Sequence, residues 1–233
     1  MSEYLTSPAA KVARLPDNID FDTAARLGYL GTSYAALLKG GLRARGTLLI
    51  NGVTGTLGVG AVQMALGLGA RRILGIGRKP DVMARIKSLA PDRIDVASYD
   101  PATTVQWVKE CTGGRGVDVM YDCLGAGASA ETTNTLLNAI APEGCCIVVA
   151  GGVEGQIHRD YLSLMTHPVH IEGSGWFTSG QIDDLIALIG EGTIDVSACE
   201  TRAFRLDQVN DALALAGSRP GGFVNVVIHP RNE

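Results

Sequence analysis

Leu48-Leu49-Ile50-Asn51-Gly52-Val53-Thr54-Gly55-Thr56-Leu57-Gly58-Val59-Gly60-Ala61-Val62-Gln63-Met64-Ala65 runs from a branched, apolar strand signal through a glycine-rich turn into a helix signal. That succession builds a seat for a pyrophosphate. The strand delivers the backbone, and the glycines allow a tight turn and a close approach to phosphate oxygens. The first turn of the helix then presents free N–H groups and a partial positive charge. The spacing is Gly52-x-x-Gly55-x-x-Gly58; the strict G-x-G-x-x-G would need glycine at Val53. Gly55 is placed for the close approach and Gly58 for packing of helix on strand, while Gly52, Thr54, Thr56 and Leu57 complete the turn. In a chain with 30 glycines the bland alternative is a chance glycine-rich turn. A second apolar run, Arg72–Ile76, follows the helix and completes a βαβ unit of roughly 30 residues, which favours the nucleotide reading.

That second run ends in Gly75-Ile76-Gly77-Arg78-Lys79. This is where an NAD-binding unit places an Asp or Glu for the ribose 2′-hydroxyl. Gly77 carries no carboxylate to repel a 2′-phosphate, and Arg78 and Lys79 bring positive charge, Arg78 with a planar fork suited to phosphate oxygens. The expected cofactor is NADP(H). A solvated basic loop is the competing reading of the same residues.

Outward from this unit, strand and helix signals alternate. Asp20 or Asp22 caps a helix running to Lys39, closed by Gly40-Gly41. Strands are expected over 47–51, 72–76, 94–97, 117–121 and 145–150, with helices over 57–68, 81–89, 101–111 and 129–140 between them. After Gly151 comes a loop-rich stretch, then a sixth, edge strand over 169–171, helices over 180–189 and 207–216, and strands near Ala203 and over 223–228. Such alternation predicts an α/β fold, a Rossmann-type doubly wound parallel sheet of about six strands.

Composition supports a sizeable core: 46% of residues are hydrophobic and 19% charged, with a formal net charge of −4. Nothing approaches the uninterrupted apolar run of a membrane helix, and no basic–aromatic interleaving points to nucleic acid. Glu3 and the polar start argue against a signal peptide. A cytoplasmic protein with a small-molecule substrate is expected. Cys111, Cys123, Cys145, Cys146 and Cys199 form no C-x-x-C pair and read as free thiols, with Cys145 and Cys146 on opposite faces of a strand. His167-x-x-His170 lies in an extended segment whose geometry does not suit a zinc pair, and no metal site is expected.

Several segments together resemble the medium-chain dehydrogenase/reductase superfamily, of the zinc-type alcohol dehydrogenase and quinone oxidoreductase kind. They are Ala24-Ala25 with Gly31-Thr32-Ser33-Tyr34-Ala35-Ala36-Leu37, residues 52–65, Gly116-Val117-Asp118-Val119 with Asp122 and Gly125, Ile171-Glu172-Gly173-Ser174, and Gly221-Gly222-Phe223-Val224-Asn225-Val226-Val227. The resemblance implies that Thr32 lines the nicotinamide and that Leu124 and Gly125 lie beside ribose and pyrophosphate. It puts Val149, Gly151, Gly175, Trp176 and Phe177 at the nicotinamide end. It also sets Tyr99 near the adenosine phosphate, against the alternative of an exposed loop tyrosine. It divides the chain into a catalytic-domain remnant over 1–28, an NADP-binding Rossmann domain over 29–177 and a small C-terminal α/β remnant of the catalytic domain over 178–233.

The resemblance also implies a preceding GroES-like barrel, of which only Met1-Ser2-Glu3-Tyr4-Leu5 has a counterpart here, as its last strand. A zinc cysteine of the family falls at about Gly28. The chain is then either an excised piece or a naturally short form. Two functions follow. One is a zinc-independent NADPH-dependent oxidoreductase moving hydride to a carbonyl or an activated C=C such as a quinone or enone. The other is a cofactor-binding module or fragment without independent catalysis. Catalytic residues are unknown; Tyr34, Thr32 or water are the candidates for proton delivery. A homodimer is expected through the edge strand near Ile171, the rival being an edge blocked by the 151–167 loop. Without the barrel, Ala203, Phe204 and Phe223 are expected to add exposed apolar surface.

Overall fold

The computed structural model describes residues 5–230. Its main element is a six-stranded, wholly parallel sheet of β1 (Thr47–Asn51), β2 (Arg72–Ile76), β3 (Ile94–Ala97), β4 (Val117–Asp122), β5 (Ile140–Val148) and β6 (His170–Gly173). The order β3-β2-β1-β4-β5-β6 is that of a doubly wound nucleotide-binding sheet, with the switch point between β1 and β4. Around it lie α1 (Phe21–Ala24), α2 (Leu27–Lys39), α3 (Thr56–Gly67), α4 (Pro80–Leu89), α5 (Thr104–Cys111), α6 (Ala130–Leu136) and α7 (Tyr161–Thr166). α8 (Ser179–Gly190) leads to a separate two-stranded parallel sheet of β7 (Glu200–Arg205) and β8 (Val224–His229), joined through α9 (Val209–Gly217).

The period of two along each strand separates two cores. Leu48 and Ile50, Ile73, Val119, Tyr121 and Ile147 face one way and pack with α2, α3 and α8. Leu49, Leu74, Met120 and Cys146 face the other way and pack with α5 and α6. Both faces are covered, which is why these strands are continuous apolar runs. Cys146 belongs to the second face, while its neighbour Cys145 points towards Lys39 and Glu172.

Several element bounds differ from expectation, each for a local reason. The first helix is broken. Asp20 caps only the single turn α1, accepting from the Thr23 N–H at 2.6 Å, and α2 begins afresh at Leu27. The helix expected over 129–140 ends at Leu136 in a tight 3-10 turn, because Ile140 already pairs with Val117 in the sheet. The register then shifts, so that Val119 pairs with Cys145. The tip of that bulge is Glu143, at φ 64°. The helix expected from residue 101 starts at Thr104, since 101–103 form a turn in which Asp100 accepts from the Ala102 N–H. The loop-rich stretch contains α7, capped by Asp160. Met1 to Tyr4, the expected barrel remnant, lie outside the described residues, and Leu5 is not in a strand.

Phe223 adds no exposed surface. It is 3% exposed and covered by the Arg85 guanidinium, 4.1 Å above its ring, whereas Ala203 is exposed and Phe204 half-buried. Among the described residues no helix is long and apolar enough to cross a membrane.

The turn after β1 is held by two glycines in different ways. Gly52 sits at φ 97°, a region that L side chains rarely adopt. Gly58 has no special conformation. A β-carbon there would overlap the Gly52 carbonyl oxygen and stand 2.6 Å from Val53 Cα, so the helix can lie on the strand turn only without one. Gly58→Ala should therefore destabilise the fold by about 1–3 kcal/mol. Gly28→Ala, where nothing lies within 4 Å of the new methyl, should stabilise α2 by about 0.4–1 kcal/mol. Urea unfolding of both variants checks the pair; equal effects would remove the steric account of Gly58.

Candidate functional site

A cleft of about 660 Å³ opens at the carboxyl ends of β1, β2 and β4, beside the switch point. Three strand ends and one late segment make its walls. The β1–α3 turn contributes Gly52, Thr54, Gly55 and Thr56; the end of β2 contributes Gly77, Arg78 and Lys79; the end of β4 contributes Cys123, Leu124 and Gly125. Tyr99, following β3, lines the far end and is half-buried against the second core. Residues 216–226 roof the cleft.

Gly55 differs from its neighbours. Its φ of −86° suits any residue, and a β-carbon would meet only the Gly52 carbonyl oxygen, at 3.5 Å. The space above it is open. The N–H groups of α3 start here, since Gly55 is the N-cap and makes no side-chain cap. Gly77 is closed. A β-carbon would stand 2.6 Å from Thr54 Cγ2, 3.1 Å from Val53 Cγ1 and 3.2 Å from Met83 Sδ. A carboxylate at the tip of β2 is thus sterically barred by the turn after β1.

The floor is fixed by Asp122. It accepts from the Thr133 hydroxyl at 2.5 Å, from the Leu124 N–H at 3.2 Å and from Asn51 Nδ2 at 3.4 Å. Burial raises its pKa above the ordinary carboxylate value, outweighing those hydrogen bonds. Beside it the Cys123 thiol donates to the carbonyls of Asn51 at 3.2 Å and Gly52 at 3.5 Å, and burial pushes its pKa up. Beneath the turn, Ser33 and Tyr121 share a hydrogen bond of 2.9 Å, and the Ser33 hydroxyl reaches the Leu57 carbonyl at 3.2 Å.

The roof is bonded to the turn. The Gly222 N–H donates to the Thr54 carbonyl at 2.9 Å, and a β-carbon on Gly222 would stand 2.7 Å from the Gly55 carbonyl carbon. Lys79 Nζ donates to the Arg219 carbonyl, and Arg26 Nη2 to that of Gly222. Arg26, Arg78, Lys79 and Arg219 all line the cleft, and among the described lining residues none is Asp or Glu. In a chain with 24 acidic and 20 basic residues, that concentration of one sign marks a site for an anion.

The other expected site residues lie elsewhere. Leu57 and Gly58 belong to the packed first turn of α3. Thr32 is buried within α2, its hydroxyl donating to the Gly28 carbonyl at 2.9 Å, and Tyr34 is buried in the first core. Neither lines the cleft. Val149 packs against the first core, and Gly151 is exposed. Gly175 and Trp176 border a separate depression with Lys39 and Gln181. Trp176, 73% exposed, stacks on Phe177 at 5.4 Å, and the Phe177 ring fills the space over Gly31. His167 is tied to the Ile140 carbonyl at 2.8 Å and His170 lies 3.4 Å from Glu143. Among the described residues, no three of His, Cys, Asp and Glu converge as metal ligands.

Reading the sequence missed Arg26, Tyr29, Asn51, Ser129, Thr132 and the 216–226 roof as cleft residues. The one signal for the roof was the Gly221-Gly222 pair, which lets backbone approach backbone. Nothing local marks Arg26.

A family model described as zinc-binding dehydrogenase matches residues 56–191. The uncharacterized zinc-type alcohol dehydrogenase-like protein YphC of Escherichia coli is 29% identical over 228 residues, covering 96% of this chain and 62% of its own length. A quinone oxidoreductase of Salmonella typhimurium is 26% identical over 223 residues, 91% of this chain and 66% of its own. The chain thus spans less than two thirds of either relative. Among solved structures, the alcohol dehydrogenase TADH from Thermus sp. ATN1 superposes with a TM-score of 0.80 at 22% identity, over 93% of this chain and 62% of its own, a likeness of fold.

Because the folded-state pKa of Asp122 is raised, the fold favours its protonated form. Its contribution is complete below the ordinary carboxylate value and is lost as pH rises through the folded value. Asp122→Asn should therefore gain stability relative to the parent as pH rises from about 4 to about 8. Urea titrations at the two pH values check this; a difference independent of pH would show that the carboxylate is not strained by burial.

Proposed function

This chain belongs to the zinc-binding dehydrogenase family, of medium-chain dehydrogenase/reductase type, and from that premise we propose that its cleft binds NADP(H) for an oxidoreductase reaction. The observation that carries the cofactor is the cationic cleft, four basic side chains with no described carboxylate, beside an open Gly55 and an uncapped helix N-terminus. A dinucleotide's diphosphate suits the turn, and its adenosine end suits the strand tips. The preference for a 2′-phosphate is supported by Gly77, where a carboxylate has no room, and by exposed Arg78 and Lys79 next to it.

The reaction proposed is hydride transfer to a carbonyl or an activated C=C such as a quinone or enone, in keeping with the names of the relatives. A bound nicotinamide supplies the hydride. This chain's part is positioning: the glycine turn anchors the diphosphate, and the Asp122 network fixes the β4 end against which the ribose lies. We propose no zinc in this step: His167 is tied to the Ile140 carbonyl, His170 has Glu143 alone beside it, and Gly28 stands where the resemblance expects a cysteine. The free state of all five cysteines supports a cytoplasmic setting.

Calorimetry with the two reduced cofactors tests the reading. NADPH should bind more tightly than NADH, and Arg78→Ala should weaken NADPH by about ten- to a hundredfold while leaving NADH nearly unchanged. Equal losses would sink the 2′-phosphate assignment, and oxidation of NADPH by quinones or enones reads out the reaction.

We also propose a second copy of this chain as a partner. All four residues of β6 are exposed, and β6 is the outermost strand beside β5, so its far edge is open to pairing, although the Gly173 carbonyl accepts from Lys39 Nζ. That exposure favours an open edge over one blocked by the 151–167 segment. Pairing of two such edges about a two-fold axis would continue the sheet. Sedimentation at micromolar concentration should show a dimer that Ile171→Pro converts to monomer; a dimer indifferent to that proline would move the interface elsewhere.

A further inference from the structure

Arg26 is the least exposed cation of the cleft, at 2%, yet it has no acidic partner. Its contacts are two backbone carbonyls, those of Gly222 and, at 3.5 Å, of Val224, while its Nε has no partner among the described residues. Burial depresses its pKa, and the groups that oppose this are Cys199 and Tyr29, not a carboxylate. Folded proteins seldom bury a guanidinium without an anion to answer it. An anion supplied from outside would complete the group.

Its location says which one. Residue Gly222 lies between Arg26 and the glycine turn: its carbonyl accepts from the guanidinium, and its N–H donates to the Thr54 carbonyl. The guanidinium is therefore linked through the backbone of one residue to Thr54, next to Gly55 and the start of α3. Arg78 and Lys79 stand at the other wall, at the tip of β2. Positive charge thus enters one cleft from two different elements, the segment before α2 and the loop after β2. We propose that Arg26 binds the diphosphate of the dinucleotide, its planar fork meeting oxygens that the α3 N-terminus meets from below. This rests on the reading of the cleft as a dinucleotide site. It assigns the two elements different tasks: Arg26 acts on any nicotinamide dinucleotide, Arg78 only on the phosphorylated one.

Glutamine is the informative replacement, because Arg26→Gln can still donate to the Gly222 carbonyl but carries no charge. By calorimetry and ligand-observed NMR on the chain as it stands, Arg26→Gln should weaken NADPH and NADH alike by about ten- to a hundredfold. It should leave adenosine 2′-monophosphate, which has no diphosphate, within about twofold of the parent. Arg26→Lys should recover part of the loss. Unchanged dinucleotide affinity in Arg26→Gln would overturn the proposal. So would an equal loss for adenosine 2′-monophosphate, since that would make Arg26 only a tie for the roof. Should the parent chain bind neither dinucleotide, the cofactor reading falls, and inorganic pyrophosphate then tests Arg26 alone. Pyrophosphate binding that Arg26→Gln weakens would sustain the anion site, and no binding would remove it.

Discussion

The absence of a β-carbon at Gly58 is the constraint on which the site depends. It lets α3 settle onto the carbonyl of Gly52 and the Cα of Val53, and so fixes where the helix begins. From that starting point everything nearby takes its position. Val53 and Thr54 are pressed against the tip of β2, which forces glycine at 75 and 77. The Leu57 carbonyl meets the Ser33–Tyr121 pair and locks the turn to α2 and β4. An error of one methyl group at residue 58 would propagate through all three strand ends that frame the cleft.

A second dependence runs from charge to backbone. The cleft gathers cations and answers them with carbonyl oxygens of the roof, from Arg219 to Lys79 and from Gly222 to Arg26. Carbonyls satisfy hydrogen bonding but do not cancel charge, so the walls keep their positive potential. A carboxylate in the same place would have stabilised the empty protein and weakened it as an anion binder. The N-terminal segment is drawn into the same arrangement, because Asn225 donates to the Asp22 carbonyl at 2.7 Å and His229 meets the Asp22 carboxylate at 2.7 Å.

What the sequence disclosed follows the range of the interactions. The alternation of strands and helices is written locally, in apolar runs and caps, and it yields the sheet as found. The βαβ unit is legible for the same reason, and ten of the expected site residues, those of the β1, β2 and β4 ends with Tyr99, meet in one cleft. Broken elements were not legible. The bulge at Glu143 depends on pairing that only the assembled sheet dictates, and no capping side chain marks the fresh start at Leu27. The roof was hidden more deeply, since Arg26 and Gly222 are 196 positions apart and neither shows its role to its neighbours. The resemblance grouped Thr32, Val149, Gly151 and 175–177 with the cofactor; the structure puts Thr32 within α2, Val149 against the first core, Gly151 in an exposed loop, Phe177 over Gly31, and Gly175 and Trp176 in a separate depression.

The long span between Arg26 and Gly222 has a consequence for biosynthesis. Residues 47–122 carry the glycine turn and the three strand ends of the cleft, whereas its roof is made by residues 216–226. During translation the sheet can therefore begin to form well before the cleft has its roof, and Arg26 waits for 196 further positions before meeting the Gly222 carbonyl that holds it. Throughout that interval the nascent protein displays a buried-type cation and an open helix end to the surrounding solution. A chain stalled before residue 216 has emerged would hold its central strands and still lack the roof of the cleft.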